Sequence, residues 1–452
     1  MTHHFNAPAI AFIIVCGFLA DALGTRSPNV IYILADDVGY GDLSCYGQKK
    51  FKTPHLDRMA EEGMRFTEHY SGSCVCAPSR YTLMTGKHIA RARTEGQGQQ
   101  LQPEEFTLAD AFKQNGYSTG MIGKWGLGGH TGRPDLQGFD FWFGFLDQRR
   151  AHFHYPEWVW KNGDKIPYPD NPKTHEHHTQ NLFTEEAIGF IREHRQTPFF
   201  LYLPYTLVHA ELIVPQEYEE PFIGQLDDKP VEPVPYGILR SGYNRPRHRH
   251  AAFAGTMTCL DDHIGKLFEE LKALQLDQST IVLFTSDNGP HSEGGADPRY
   301  FNSSGGLKRG KGWLYEGGIR VPMIVRWPGK IAPGTTSKHP SWFPDVFNTL
   351  GDLCNMELTP GDRDGISFAP TLLNKNQQPN PYMYWSYNRH RAIRQGKWKL
   401  YRFYEKFNDI NRYKEELYNL DDDSGEMNDL AEKFPERVKQ LATKLNGYER
   451  WK

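Results

Sequence analysis

Three runs of apolar, mostly β-branched or aromatic residues each stop at a polar residue. This pattern constrains the fold more than any other feature of the chain. Asn29-Val30-Ile31-Tyr32-Ile33-Leu34-Ala35 ends in Asp36-Asp37. Thr280-Ile281-Val282-Leu283-Phe284-Thr285 ends in Ser286-Asp287-Asn288-Gly289, and Phe199-Phe200-Leu201-Tyr202-Leu203 is followed by Pro204 and His209. Continuous apolar runs suit strands buried on both faces, as in parallel sheets covered by helices. Met257, Leu260, Ile264, Leu267, Phe268, Leu271 and Leu274 recur at steps of three and four, which is one helix face. Strands alternating with helices predict an α/β fold with a large, mostly parallel sheet. Ligands of such sheets bind beyond the carboxyl ends of the strands. Asp36, Asp37, Asp287 and Asn288 are therefore expected to converge, although they are far apart in sequence. All four offer the hard oxygens that Ca2+ or Mg2+ needs. No Cys/His cluster has zinc spacing.

The chain of 452 residues is long enough for one large domain, or one large and one small. The 216–250 stretch, rich in Pro, Asp, Arg and His, reads as an insertion or loop. Beyond about residue 360 the texture changes to short strands separated by turns: Pro381–Tyr387, Arg391–Arg394, Lys397–Tyr401 and Glu416–Leu420. A final helix is expected from Pro435 to Tyr448. The division is thus residues 28–360 for the main domain and 361–452 for a small antiparallel subdomain. A formal net charge of −3 argues against a general nucleic-acid binder.

Residues 8–20 form an apolar run too short for a comfortable membrane span, and Ala20-Asp21-Ala22 matches a small-x-small cleavage site. Residues 1–22 read as a cleaved signal peptide, and the mature protein as secreted, periplasmic or held in a lysosome-like lumen without stable membrane insertion. Cys16 leaves with that signal, and the remaining cysteines are too few for a disulfide scaffold.

The most specific motif is Cys76-Ala77-Pro78-Ser79-Arg80-Tyr81-Thr82-Leu83-Met84-Thr85-Gly86. Pro78 suits the first turn of a helix, which puts Cys76 just before a helix N-terminus. An anion is favoured there by free N–H groups and the dipole, and Arg80 adds charge. The segment resembles the Cys-x-Pro-Ser-Arg-x-x-Leu-x-Thr-Gly signature of the type I sulfatases, arylsulfatase-like members of the alkaline phosphatase superfamily. The resemblance runs over about residues 28–432 and implies an alkaline-phosphatase-like sheet. It also implies that a formylglycine-generating enzyme oxidises Cys76 to formylglycine, whose hydrate attacks the sulfur of a sulfate ester. Cys74 lacks the downstream Pro-Ser-Arg spacing.

By the same resemblance Asp36, Asp37, Asp287, Asn288 and residue 76 itself hold a divalent cation, usually calcium. Gly123-Lys124-Trp125-Gly126-Leu127-Gly128 resembles the family's Gly-Lys-Trp-His-Leu-Gly, so Lys124 carries over as a sulfate ligand. The family's histidine, which contacts the formylglycine and helps expel sulfate, is Gly126 here. His291 is the expected substitute. Lys311, in Gly310-Lys311-Gly312-Trp313, corresponds to a lysine that binds sulfate and the leaving oxygen, while nearby Lys308 reads as solvated. His209 corresponds to a histidine beside the ester oxygen, and with an ordinary pKa near ~6.5 it would serve as the proton donor.

The resemblance fixes the reaction class more closely than the substrate. The 147–160 segment is rich in cations and rings, and Arg149, Arg150 and His152 are expected to bind substrate. Arg245, Arg247, His248 and Arg249 are expected to add a basic rim. A sulfated carbohydrate follows, of galactose or N-acetylgalactosamine sulfate type, with aryl sulfates also as substrates. Two rivals share these residues: a phosphonate or phosphodiester hydrolase using the same modified cysteine, and a non-catalytic binder of sulfated glycans suggested by Gly126. Fold alone does not separate them.

Overall fold

Side chains alternate along the Asn29–Ala35 strand and build a core on each face of the sheet. Val30, Tyr32 and Leu34 enter one apolar cluster, and Ile31, Ile33 and Ala35 the other. Each fully buried side chain of this size contributes about 1.5–3 kcal/mol, so both faces must be covered. The long helix Arg249–Ala273 covers the second, burying Met257, Leu260, Ile264, Leu267, Phe268 and Leu271 as their spacing predicts.

The computed structural model describes residues 27–94, 96–227, 229–234, 243–359, 361, 363–405 and 412–448, together with Met1. The expected signal segment lies outside the described residues. Among those described, no helix is long and apolar enough to cross a membrane.

Among the described residues the main sheet has eleven strands, most of them parallel. At its centre Asn29–Ala35 lies between Phe199–Pro204 and Thr280–Ser286, parallel to both. Ser118–Lys124 follows Phe199–Pro204, also parallel. Arg320–Arg326 pairs antiparallel with Thr280–Ser286 and with Met64–Tyr70. The register of the central pair decides which polar residues meet at the sheet's edge. Ala35 pairs with Ser286, so Asp36 and Asp287 leave the sheet side by side.

A separate four-stranded antiparallel sheet is formed by Met383–Tyr387, His390–Gln395, Trp398–Tyr404 and Tyr413–Asn419. The closing helix runs Pro435–Tyr448. A buried ionic junction joins this sheet to the main one. Lys399 Nζ lies 2.9 Å from both Glu316 Oε1 and Glu426 Oε1, all three side chains being fully buried. Tyr70 Oη donates to Glu316 Oε2 at 2.6 Å. Lys308, expected to be solvated, is half-buried beside Tyr315 and Tyr418. Its ammonium donates to Tyr418 Oη at 2.9 Å and lies 4.1 Å from the centre of the Tyr315 ring.

Removing the cation from a buried ion pair strands its partners, at a cost of about 3–5 kcal/mol. Lys399→Met is therefore expected to lower stability by that amount in urea unfolding. A loss below about 1 kcal/mol, the range of exposed pairs, would show that this junction does not hold the two sheets together.

Candidate active site

The polar ends of the central strands meet as their register requires. The Asp37 N–H donates to Asp287 Oδ1 at 3.2 Å, which ties the two strand ends together. Asn288 Nδ2 donates to Asp37 Oδ1 at 2.6 Å. Lys124, the last residue of its strand, donates from Nζ to Asp36 Oδ2 at 2.5 Å. Asp36, Asp37, Asp287, Asn288 and Lys124 are all fully buried.

Cys76 is the first residue of the helix Cys76–Thr85, one position inside the boundary expected from Pro78, with extended Val75 as its cap. The helix start faces the strand ends, and Cys76 Sγ donates to Asp36 Oδ1 at 3.3 Å. Burial, then the charges of Asp287 and Asp36, push the Cys76 thiol well up. Arg80, one turn on, lies beneath the site and is wholly buried. Its Nη2 and Nε donate to Asp287 Oδ2 at 2.8 and 3.0 Å, its Nη2 lies 3.6 Å from Asp36 Oδ2, and its Nη1 donates to the Lys124 carbonyl.

Lys311 reaches in from the opposite side. Its Nζ donates to Asp37 Oδ2 at 2.7 Å and to His209 Nε2 at 2.8 Å. His209 Nδ1 donates to the Ala210 carbonyl at 2.8 Å, so Nε2 is the acceptor and the tautomer is set. Its pKa is not the ordinary one assumed from sequence: burial, then Lys311, push it well below the usual imidazole range. Burial also opposes ionisation of Asp36, but Lys124 and Arg80 outweigh it and hold the carboxyl well below the usual range. Asp287 is pushed up to about 6 by burial and by Asp36, against Arg80.

Three buried carboxylates, Asp36, Asp37 and Asp287, thus face three cations, Arg80, Lys124 and Lys311. The donor set fits a hard divalent cation. The side-chain carbonyl of Asn288 supplies an independent sign of one, because Oδ1 is buried and has no hydrogen-bond partner. Such an orphan costs about 1–3 kcal/mol, and a cation beside Asp37 would satisfy it. Asp36, Asp37, Cys76 and His209 also bring one ligand atom each within 4.8 Å of one another.

Cys76, His209, His291, Lys311 and His152 all line one cavity of about 810 Å³. His152 stacks flat on His209, ring centres 3.9 Å apart, and its Nδ1 lies 3.0 Å from Tyr243 Oη. His291 is tied to the backbone at both ends. Its Nε2 bonds the Val208 carbonyl at 3.0 Å and its Nδ1 accepts from the Glu293 N–H at 3.1 Å. The space above Gly126 is filled by another residue. Gly126 has φ 73°, and a Cβ there would lie 2.4 Å from Gln148 Nε2, which donates to the Gly126 carbonyl at 3.3 Å.

Arg149 and Arg150 do not line this cavity. Both are exposed, and the Arg150 guanidinium lies 4.1 Å from the centre of the Trp158 ring, beside a second cavity of about 500 Å³. Arg245, Arg247, His248 and Arg249 do not line the main cavity either, and Arg245 exchanges both backbone hydrogen bonds with Val234. Sequence reasoning passed over Gln148, Tyr243 and Glu293. Glu293, two residues past His291 in the same strand-end loop, carried the clearest signal.

The sulfatase family model matches residues 28–356, and the model for the C-terminal part of N-sulphoglucosamine sulphohydrolase matches residues 308–450. N-acetylgalactosamine-6-sulfatase of Rattus norvegicus is 33% identical over 413 residues, covering 85% of this chain and 72% of its own length. N-acetylgalactosamine-6-O-sulfatase of Bacteroides thetaiotaomicron is 29% identical, covering 94% of this chain and 93% of its own. A sulfatase structure from work on glycosaminoglycan metabolism by Bacteroides thetaiotaomicron superposes with a TM-score of 0.78 at 27% identity, covering 94% of this chain and 99% of that one. The phosphonate monoester hydrolase of Agrobacterium radiobacter shares the fold, with a TM-score of 0.67 at 19% identity over 93% of this chain and 95% of its own. A family match across most of the chain and a cluster of acids, lysines and histidines at the strand ends lead to one conclusion: this chain belongs to the sulfatase family and is a sulfuric ester hydrolase.

Proposed function

We propose that the chain removes sulfate from a carbohydrate ester of the galactose or N-acetylgalactosamine type, with Cys76 matured to formylglycine. The observation that carries this is the position of Cys76: it begins a helix, touches Asp36 and opens on the same cavity as His209 and Lys311. The names of the two relatives above support the choice of sugar. Maturation by a formylglycine-generating enzyme and export by a cleaved leader belong to the same reading and rest on the sequence motifs.

Formylglycine supplies a hydrate hydroxyl as nucleophile. A cation, calcium by the donor set or magnesium, would be held by Asp36, Asp37, Asp287 and Asn288, together with residue 76, and supplies charge and Lewis acidity at the sulfate. The chain's own groups do the rest. Three carboxylates already balance three cations, so a divalent ion leaves the pocket positive and complementary to an anion. Lys124 and Lys311 are then less committed to Asp36 and Asp37 and can turn to sulfate oxygens. Arg80 stays below and fixes Asp36 and Asp287, a positioning role. His209 presents Nε2 beside Lys311 for proton transfer to the departing oxygen. Its proton affinity, low in the free site, rises when an anion binds next to it. Gln148 fills the place above Gly126, and His291, with both ring nitrogens engaged, orders the Val208 and Glu293 backbone. Preorganised charge carries most of the rate enhancement.

Mass spectrometry of the Phe66–Arg80 tryptic peptide, from protein matured in its native host, should show formylglycine at position 76. Unmodified cysteine, in a host that matures other sulfatases, contradicts the reading. A second expectation concerns the leaving group. His209→Ala should lower kcat/KM for a sugar sulfate by about 10²–10⁴-fold, the usual worth of a general acid. It should cost much less for nitrophenyl sulfate, which needs no proton. Equal losses on both would remove His209 as the proton donor.

A further inference from the structure

The cavity of about 810 Å³ lies towards the upper end of the range that holds a drug-sized ligand, about 300–1,000 Å³. One sulfated sugar leaves much of it unfilled. Part of its wall comes from the chain that follows Thr280–Ser286 and carries Arg299, Arg309 and Trp313. Both arginines are exposed on the rim. Among the described residues the one carboxylate lining the cavity is Glu293, and it is engaged with Lys311 and His209, each at 3.4 Å. Neither arginine has an ion-pair partner among the described residues.

Arg309 is held by another kind of contact. Its guanidinium lies 4.6 Å from the centre of the Trp313 ring. A guanidinium resting on an indole is restrained, yet its N–H donors remain unspent. That is a preorganised receptor for a planar or tetrahedral oxyanion, which arginine binds with paired hydrogen bonds. The sulfate to be cleaved belongs against residue 76, beside Lys311 and His209, and neither arginine bonds a residue of that cluster.

We propose that Arg299 and Arg309 form a second anion subsite, which takes a carboxylate or sulfate on the sugar next to the one that is desulfated. The preferred substrates are then oligosaccharides of a polyanionic glycan rather than isolated sulfated sugars. This inference rests on the sulfated-carbohydrate reading above and narrows it.

The test compares three disaccharides with the same cleavable sulfated residue. The neighbouring sugar is neutral in one, a uronic acid in another and itself sulfated in the third. For the wild type, kcat/KM should be about tenfold higher or more with an anionic neighbour, the effect of one or two charge-assisted hydrogen bonds, and the gain should appear in KM. Comparison of the last two substrates tells carboxylate from sulfate. In Arg299→Ala/Arg309→Ala the preference should collapse while the neutral disaccharide is turned over at nearly the wild-type kcat. Absence of a preference in the wild type, or its survival in the double variant, overturns the proposal. Calorimetric binding of the same disaccharides to Cys76→Ala reads the anion preference without turnover. A chain that hydrolyses none of them but binds the anionic ones more tightly would refute the carbohydrate sulfatase reading and leave the subsite standing.

Discussion

One buried carboxylate, Asp36, sets the terms for the rest of the site. It leaves the central strand of the sheet fully buried, and burial by itself favours its neutral form. It stays ionised because Lys124 and Arg80 are brought to it by two other elements, the Ser118–Lys124 strand and the Cys76–Thr85 helix. Cys76 is carried in by the same helix, so its position and the charge balance are fixed together. Moving any one of these elements would strand a charge in the interior.

The fold exists around that arrangement. Parallel pairing of Asn29–Ala35 with Thr280–Ser286 juxtaposes Asp36 and Asp287, and the two apolar cores fix the register by holding alternate residues on opposite faces. The smaller sheet reaches the site indirectly. Glu316, clamped by Lys399 and Tyr70, begins the short helix that comes after the Lys311–Trp313 segment. The ionic junction between the sheets therefore anchors the loop that delivers Lys311 and the Arg309 wall.

Much of this was legible in the sequence, for identifiable reasons. Asp36, Asp37, Asp287 and Asn288 follow long apolar runs, where a parallel sheet gathers its ligands. The 435–448 helix and the four late strands show in simple periodicity and turn spacing. Lys124 and Lys311 were legible only through motif resemblance, since nothing in their local pattern separates them from Lys308, which lies against the rings of Tyr315 and Tyr418. Charge density alone was a poor guide to the cavity lining. Arg150 rests on Trp158 instead of entering the main cavity, and the basic run at 245–249 does not line it. Gln148 depends on how a loop without periodicity returns over Gly126, and sequence spacing does not encode such a contact, whereas His152, expected at the substrate, does line the main cavity. His209 was legible as a histidine after a strand, but its lowered proton affinity comes from burial and Lys311, which lies 102 residues away in the chain.

In the function proposed above, the strand-end acids form a hard-cation site on which sulfate is bound, rather than a closed network of salt bridges. The most direct measurement is a crystal structure of the protein grown with calcium, with anomalous data collected to identify the ion. One cation per chain is expected, about 2.3–2.6 Å from Asn288 Oδ1 and from oxygens of Asp36, Asp37 and Asp287, with Lys124 and Lys311 turned towards the cavity. Contradiction would be the absence of an ion, with Lys124 still on Asp36, Lys311 still on Asp37, and Asn288 Oδ1 taken up by an ordinary hydrogen bond.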